Sequence, residues 1–147
     1  MRGSVALFAP RLARHQIELA VEIDPGLPEV LVDRLQIDTV LHNLLANAID
    51  ALKSAESEQR RISVNATLSS SAVRITVSDT GPGLPPELAR GVFRPFTTTK
   101  PEGMGLGLAI SRSIVENHGG RLTAERTDRG AALSFTLPAG IGAEAAA

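Results

Sequence analysis

The chain contains no cysteine, no tryptophan and no tyrosine. Without cysteine there are no disulfides, thiolate zinc sites or cysteine nucleophiles, although the compartment stays open. Aromatic residues make up 3% of the chain, all of them phenylalanine. The core must therefore be built from Leu, Ile, Val and Ala, and the composition argues against base stacking on aromatic platforms. An excess of charge is missing too. The formal net charge is −1, with 15 basic and 16 acidic residues, which disfavours a non-specific nucleic-acid binder. No apolar run approaches membrane-spanning length and no signal peptide is seen. The expectation is a cytoplasmic chain without membrane or nucleic-acid contact.

What is present suffices for one ordinary domain: hydrophobic residues make up 43% of 147 positions, enough for a real core. Met1-Arg2-Gly3-Ser4 has the look of an expression remnant and is left out of the fold reasoning. Val5 to Arg14 is mildly helical but carries Pro10. Ile17 to Ile23 alternates apolar and mostly polar residues, as a half-buried strand does. Pro25-Gly26-Leu27-Pro28 reads as a turn. Val30-Leu31-Val32 suits a short strand, and Asp33 can cap the helix after it.

That helix, Leu35 to Ser54, is the clearest element, with Ile37, Leu41, Leu44, Leu45, Ala48, Ile49 and Leu52 at core-facing spacing. Arg61 to Leu68 and Ala72 to Ser78 alternate like a hairpin around Ser69-Ser70-Ser71. Pro85 to Gly91 is expected to form a short helix and Arg94 to Gly103 a mobile loop. A second long helix starts at Met104 or Gly105 and runs to about His118, where Gly119-Gly120 ends it. Arg121 to Thr127 and Ala131 to Leu137 form a last antiparallel pair around Asp128-Arg129-Gly130. There is no internal repeat. The fold class is α/β: a two-layer sandwich of a mixed, mostly antiparallel sheet with helices on one face. Residues 1–16 are assigned to an N-terminal segment that ends an upstream helical linker, 17–138 to the domain proper and 139–147 to a flexible tail.

Four constellations carry chemistry. Asn43, Asn47 and Asp50 fall at i, i+4 and i+7 on one helix face, opposite the core stripe. Asn is a poor helix former, and hard magnesium prefers oxygen donors while retaining phosphate oxygens and water. Asp79-Thr80-Gly81-Pro82-Gly83 places a carboxylate at a strand end before a tight glycine loop; such a carboxylate accepts from an exocyclic amine, which adenine presents where guanine has an acceptor at the equivalent ring position. Gly103-Met104-Gly105-Leu106-Gly107-Leu108 opens a helix, where free N–H groups favour phosphate, yet it matches neither a Walker loop nor a dinucleotide fingerprint. Phe93-Arg94-Pro95-Phe96-Thr97-Thr98-Thr99-Lys100 sets two phenylalanines beside a loop, with Lys100 able to reach a γ-phosphate as a point charge. Each also has a plain structural counterpart: a solvated helix face, an Asp-Gly turn, a flexible loop, and core phenylalanines beside a solvated lysine.

In this order and spacing the four resemble the N, G1, F and G2 boxes of sensor histidine kinases, from about Ile17 to Pro138. The segment from Phe93 to Lys100, with the glycine run close behind, looks most like the oxygen-sensing and nitrogen- or dicarboxylate-sensing branch. The resemblance implies the Bergerat fold shared with DNA gyrase B, Hsp90 and MutL, and it implies ATP and magnesium as ligands. On that resemblance Asp79 binds the adenine amine, with Gly81 and Gly83 shaping its loop. Asn47 is the main magnesium ligand, assisted by Asn43, with Asp50 beside them. Gly103, Met104, Gly105, Leu106, Gly107 and Leu108 line the triphosphate, and the stretch from Arg94 to Met104, with Thr98, Thr99 and Lys100, is an ATP lid. Asn43, Asn47 and Lys100 are then the catalytic candidates.

Two departures sharpen this. The ATPases of the fold usually have a glutamate where Asn43 stands, and an amide cannot act as a general base, which favours transfer over hydrolysis. The family phosphorylates a histidine on a dimerisation hairpin preceding this domain, yet none of His15, His42 and His118 sits in that motif; all three read as structural or surface residues. The expected partners are that hairpin and, through it, a response-regulator receiver domain, and the fragment is expected to be a monomer that cannot autophosphorylate. The rival readings are an ATPase or switch-protein serine kinase of the same fold, and a nucleotide-binding module that transfers nothing.

Overall fold

The computed structural model describes residues 2–28, 30, 32–53, 59–83, 104–128 and 130–139. The helix expected over Pro85 to Gly91, the loop from Arg94 to Gly103 and nearly all of the 139–147 tail lie outside the described residues.

Two short helices open the chain, α1 (Arg2–Ala6) and α2 (Ala9–Arg14). Pro10 sits in the first turn of α2, where the missing N–H costs no helical hydrogen bond. The strands are β1 (Glu18–Ile23), β2 (Arg61–Ser69), β3 (Ala72–Asp79), β4 (Leu122–Thr127) and β5 (Gly130–Pro138), and the long helices are α3 (Arg34–Lys53) and α4 (Met104–Asn117). One sheet results, in the order β1-β2-β3-β5-β4. β1 pairs parallel to β2, which requires the crossover that α3 provides; the other three pairings are antiparallel. The mixed, mostly antiparallel two-layer α/β sandwich is thus as expected. No described helix is long and apolar enough to cross a membrane.

Period-two alternation sorts the sheet into two faces. Ile62, Val64 and Ala66 on β2, Val73, Ile75 and Val77 on β3, and Leu133, Phe135 and Leu137 on β5 are buried with the helices. On the opposite face Thr76 and Ser134, directly paired across β3 and β5, share a 2.9 Å hydroxyl–hydroxyl hydrogen bond. Against the core face α3 presents Leu41, Leu44, Leu45, Ile49 and Leu52, all buried. Burying a side chain of this size contributes roughly 1.5–3 kcal/mol.

Local signals set the helix ends. Asp33 caps α3: its Oδ1 accepts from the Gln36 N–H at 3.1 Å, satisfying one orphan donor. The C-terminus of α4 closes as a Schellman motif, with Gly119 at φ 79° and the N–H groups of Gly119 and Gly120 donating to the carbonyls of Glu116 and Val115. The first hairpin turns at Ser70 and Ser71, with Ser70 at φ 55° and Ser69 already in β2.

One local expectation is corrected: Val30 and Val32 form no strand, and the ladder of β1 with β2 ends earlier, at Ile23 and Ala66. In the N-terminal segment, Val5, Phe8 and Leu12 are buried in the same core as α3. Phe8 packs edge-on against the His42 ring, centroids 5.1 Å apart.

Candidate functional site

The site grows from one end of the sheet. The alternation that buries Val73, Ile75 and Val77 continues to Asp79, the last residue of β3, so its carboxylate is carried into the helix-facing layer and is 7% exposed. A charge there needs hydrogen bonds. Asp79 Oδ1 accepts from the Gly81 N–H at 2.8 Å, which folds the next residues into a tight turn. Thr80 fastens the same turn to the sheet: its hydroxyl donates to the Gln59 carbonyl at 2.8 Å and accepts from the Arg61 N–H at 3.0 Å. Gly83 follows at φ 96°. Gly81 lies against α3, where an added Cβ would come 3.3 Å from the Ala51 Cβ.

The other wall is α4, held to α3 by Asn43. The Asn43 side-chain amide donates to the Gly107 carbonyl at 3.1 Å and to the Ser111 hydroxyl at 3.0 Å. A carbonyl only accepts, so the nitrogen end of this amide must face α4 and its Oδ1 must face elsewhere. Among the described residues no donor meets that Oδ1. Asn47, one turn further along α3, is half-buried and has no hydrogen-bond partner among the described residues. Met104, Gly105 and Leu106 form the first turn of α4, with Gly107 and the buried Leu108 following. The initial N–H groups of a helix lack intrahelical acceptors and attract anions.

The face of Asn43, Asn47 and Asp50 is not a fully solvated one: Asn43 and Asn47 are half-buried and Asp50 is buried. Asp50 is 7% exposed and pairs weakly with Lys53 at 3.8 Å. α4 meets this side of α3 at Asn43, through Gly107 and Ser111. Thr98, Thr99, Lys100 and Gly103 lie outside the described residues, as do Phe93 and Phe96.

None of the three histidines is placed as a reacting group. His118 accepts the Asp33 N–H at Nε2, 3.0 Å, and contacts the Ile114 carbonyl at Nδ1, 2.8 Å. Nδ1 therefore carries the proton, and the ring ties the end of α4 to the start of α3. His42 packs on Phe8 with Nε2 buried and without a partner among the described residues. His15 is shifted below its ordinary value by desolvation and then by the positive charges of Lys53, Arg14, Arg60 and Arg11.

Sequence reasoning passed over Ser111, Thr80 and Gly130. A Cβ on Gly130 would fall within 2.1 Å of the Asp79 carbonyl oxygen and 2.9 Å of the Gly81 nitrogen, so the last hairpin closes directly on the Asp79 loop. Only the presence of a glycine there was visible in advance.

Residues 32–141 match the family model described as histidine kinase-, DNA gyrase B-, and HSP90-like ATPase. The sensor protein FixL of Bradyrhizobium diazoefficiens is 46% identical over 93% of this chain and 27% of its own length. The C4-dicarboxylate transport sensor protein DctS of Rhodobacter capsulatus is 39% identical over 92% of this chain and 21% of its own. The chain therefore spans about a quarter of these relatives. Among solved structures, the catalytic domain of histidine kinase ThkA superposes with a TM-score of 0.81 at 36% identity, covering 94% of this chain and 89% of that one. Full-length ShkA in complex with AMPPNP gives 0.80 at 30% identity, over 94% and 29%. ThkA in complex with the response regulator protein TrrA gives 0.78 at 34%, over 95% and 39%.

Proposed function

Since the chain belongs to the family of histidine kinase-, DNA gyrase B- and HSP90-like ATPases and is an ATP-binding catalytic domain of the sensor histidine kinase type, we propose that it transfers the γ-phosphate of ATP to a histidine on a dimerisation hairpin that these 147 residues do not contain. The observation that carries this reading is the pairing of a buried, hydrogen-bonded Asp79 at one end of the cleft with the Asn43–Gly107 contact at the other. Asn43, Asn47 and Ala51 follow one another at successive turns of α3. The two ends are thus about 12 Å apart along the helix, a span that suits an extended nucleoside triphosphate.

Each group then has a task. Asp79 accepts from the adenine amine, a contact that guanine, with a carbonyl at that ring position, cannot make. The start of α4, from Gly103 to Leu108, offers N–H groups to the phosphates. Asn43 Oδ1 and Asn47 fit magnesium, because both are neutral, half-buried oxygen donors on the phosphate side of the cleft. Magnesium there would neutralise charge on the phosphate oxygens. Thr98, Thr99 and Lys100 belong to a lid over the γ-phosphate, with Lys100 supplying a point charge. Asn43 has no proton-accepting base to offer a water molecule, so transfer is favoured over hydrolysis. The contribution of the protein is positioning and electrostatics. A response-regulator receiver domain is the next phosphate acceptor, as the ThkA–TrrA pairing suggests by analogy. The domain alone is a monomer, and it acts on the cytoplasmic side.

The test is reconstitution. With ATP and magnesium, the chain mixed with a hairpin from a FixL-type kinase should produce acid-labile phosphohistidine on the hairpin and none on itself. Hydrolysis without transfer, or phosphoserine on a partner, would replace the kinase reading with one of its rivals.

A further inference from the structure

We infer that Ser111 is a positioning residue for the metal-binding amide of Asn43. The inference rests on the reading above, in which Asn43 Oδ1 helps to hold magnesium. Ser111 is fully buried in the interior of α4, where a hydroxyl is a weaker helix former than alanine and costs free energy unless hydrogen-bonded. Its partner is the side chain of a residue 68 positions away: Asn43 Nδ2 donates to Ser111 Oγ at 3.0 Å and to the Gly107 carbonyl at 3.1 Å.

The two acceptors take both protons of the amide. A single acceptor would leave the amide free to swing about its last side-chain torsion, which is broad for asparagine. Two acceptors one helical turn apart fix its plane. The fixed plane sets where Oδ1 points, and Oδ1 lies 3.6 Å from the place a Cβ on Gly107 would occupy. The oxygen is thereby held beside Gly107, in the first turns of α4, near which phosphate is expected. Ser111 itself touches neither nucleotide nor metal, so its effect must pass through Asn43. The same hydroxyl couples any movement of α4 to the metal ligand on α3.

The experiment measures affinity of this chain for a non-hydrolysable ATP analogue, once with magnesium and once with EDTA, in the wild type, Ser111→Ala and Ser111→Cys. In Ser111→Ala the gain in affinity due to magnesium should fall roughly tenfold, the scale of one lost neutral hydrogen bond. Affinity in EDTA should stay within about twofold. Ser111→Cys, similar in size with a weak acceptor, should lie between and serves as the readable variant if the alanine protein does not fold. Equal weakening with and without magnesium would make Ser111 a purely structural residue, and an unchanged magnesium gain would remove it from the site; either result overturns the inference alone. A wild type that shows no magnesium gain overturns the inference together with the magnesium reading beneath it.

Discussion

The backbone of Gly130 is fitted against the carbonyl of Asp79 so closely that no side chain can stand between them: an added Cβ would come within 2.1 Å of that oxygen. The two residues are neighbours in space only because β3 and β5 pair, with Asp79 opposite Ala131. The Asp79 end of the candidate site therefore rests on the hairpin joining β4 to β5. In Gly130→Ala the hairpin or the Asp79 turn has to move. Overpacking of this kind costs about 1–3 kcal/mol. Denaturant unfolding should show that loss, and nucleotide affinity should fall further than the stability change alone explains, since Asp79 is displaced.

Phe8 predicts how far the domain extends. The N-terminal segment contributes Val5, Phe8 and Leu12 to the core, and Phe8 covers His42 on α3. Phe8→Ala should destabilise the chain by about 3–5 kcal/mol, whereas alanine at the exposed Leu7 should change it by less than about 0.5 kcal/mol. Paired urea titrations of the two variants separate a core segment from a loosely attached linker.

His118 ties the two long helices at one end as Asn43 ties them near the middle. Its Nε2 accepts the Asp33 N–H, so His118→Ala leaves that backbone donor without its partner and removes the bond to the Ile114 carbonyl. A loss of about 1–3 kcal/mol is expected, seen as a lower denaturation midpoint at an unchanged denaturant slope. A stability equal to wild type would show that water replaces the ring without cost.

These residues also show where sequence reasoning reached its limit. α3 was legible because its apolar positions repeat with helical period and Asp33 signals its start. The strand pairs were legible from alternation, the segregation of strands and helices gave the fold class, and the order of the four motifs gave the family through resemblance. Asp79 on the inward face follows from the same alternation. What could not be read depends on neighbours distant in the chain. Asp50 lies at the angle expected, but a helical wheel does not say that it is buried. Phe8 lies in a stretch too short and too interrupted by Pro10 to announce a core contact. Gly130 reads as an ordinary turn glycine until β3 is set beside β5, and Ser111 as an ordinary helical serine until Asn43 meets it.

The most direct test of the account is thermal unfolding of this chain with and without a non-hydrolysable ATP analogue and magnesium, in wild type and in Asp79→Asn. Asparagine keeps an oxygen for the Gly81 N–H, so the variant should fold with nearly the wild-type midpoint. At about a hundred times its dissociation constant the ligand should stabilise the wild type by roughly 2.7 kcal/mol, a rise of about 5–10 °C in Tm. The account predicts that this rise is lost in Asp79→Asn and absent with the GTP analogue. A wild type that does not respond, or a response that survives in Asp79→Asn or appears equally with GTP, would contradict the assignment of this cleft as an adenine-nucleotide site read by Asp79.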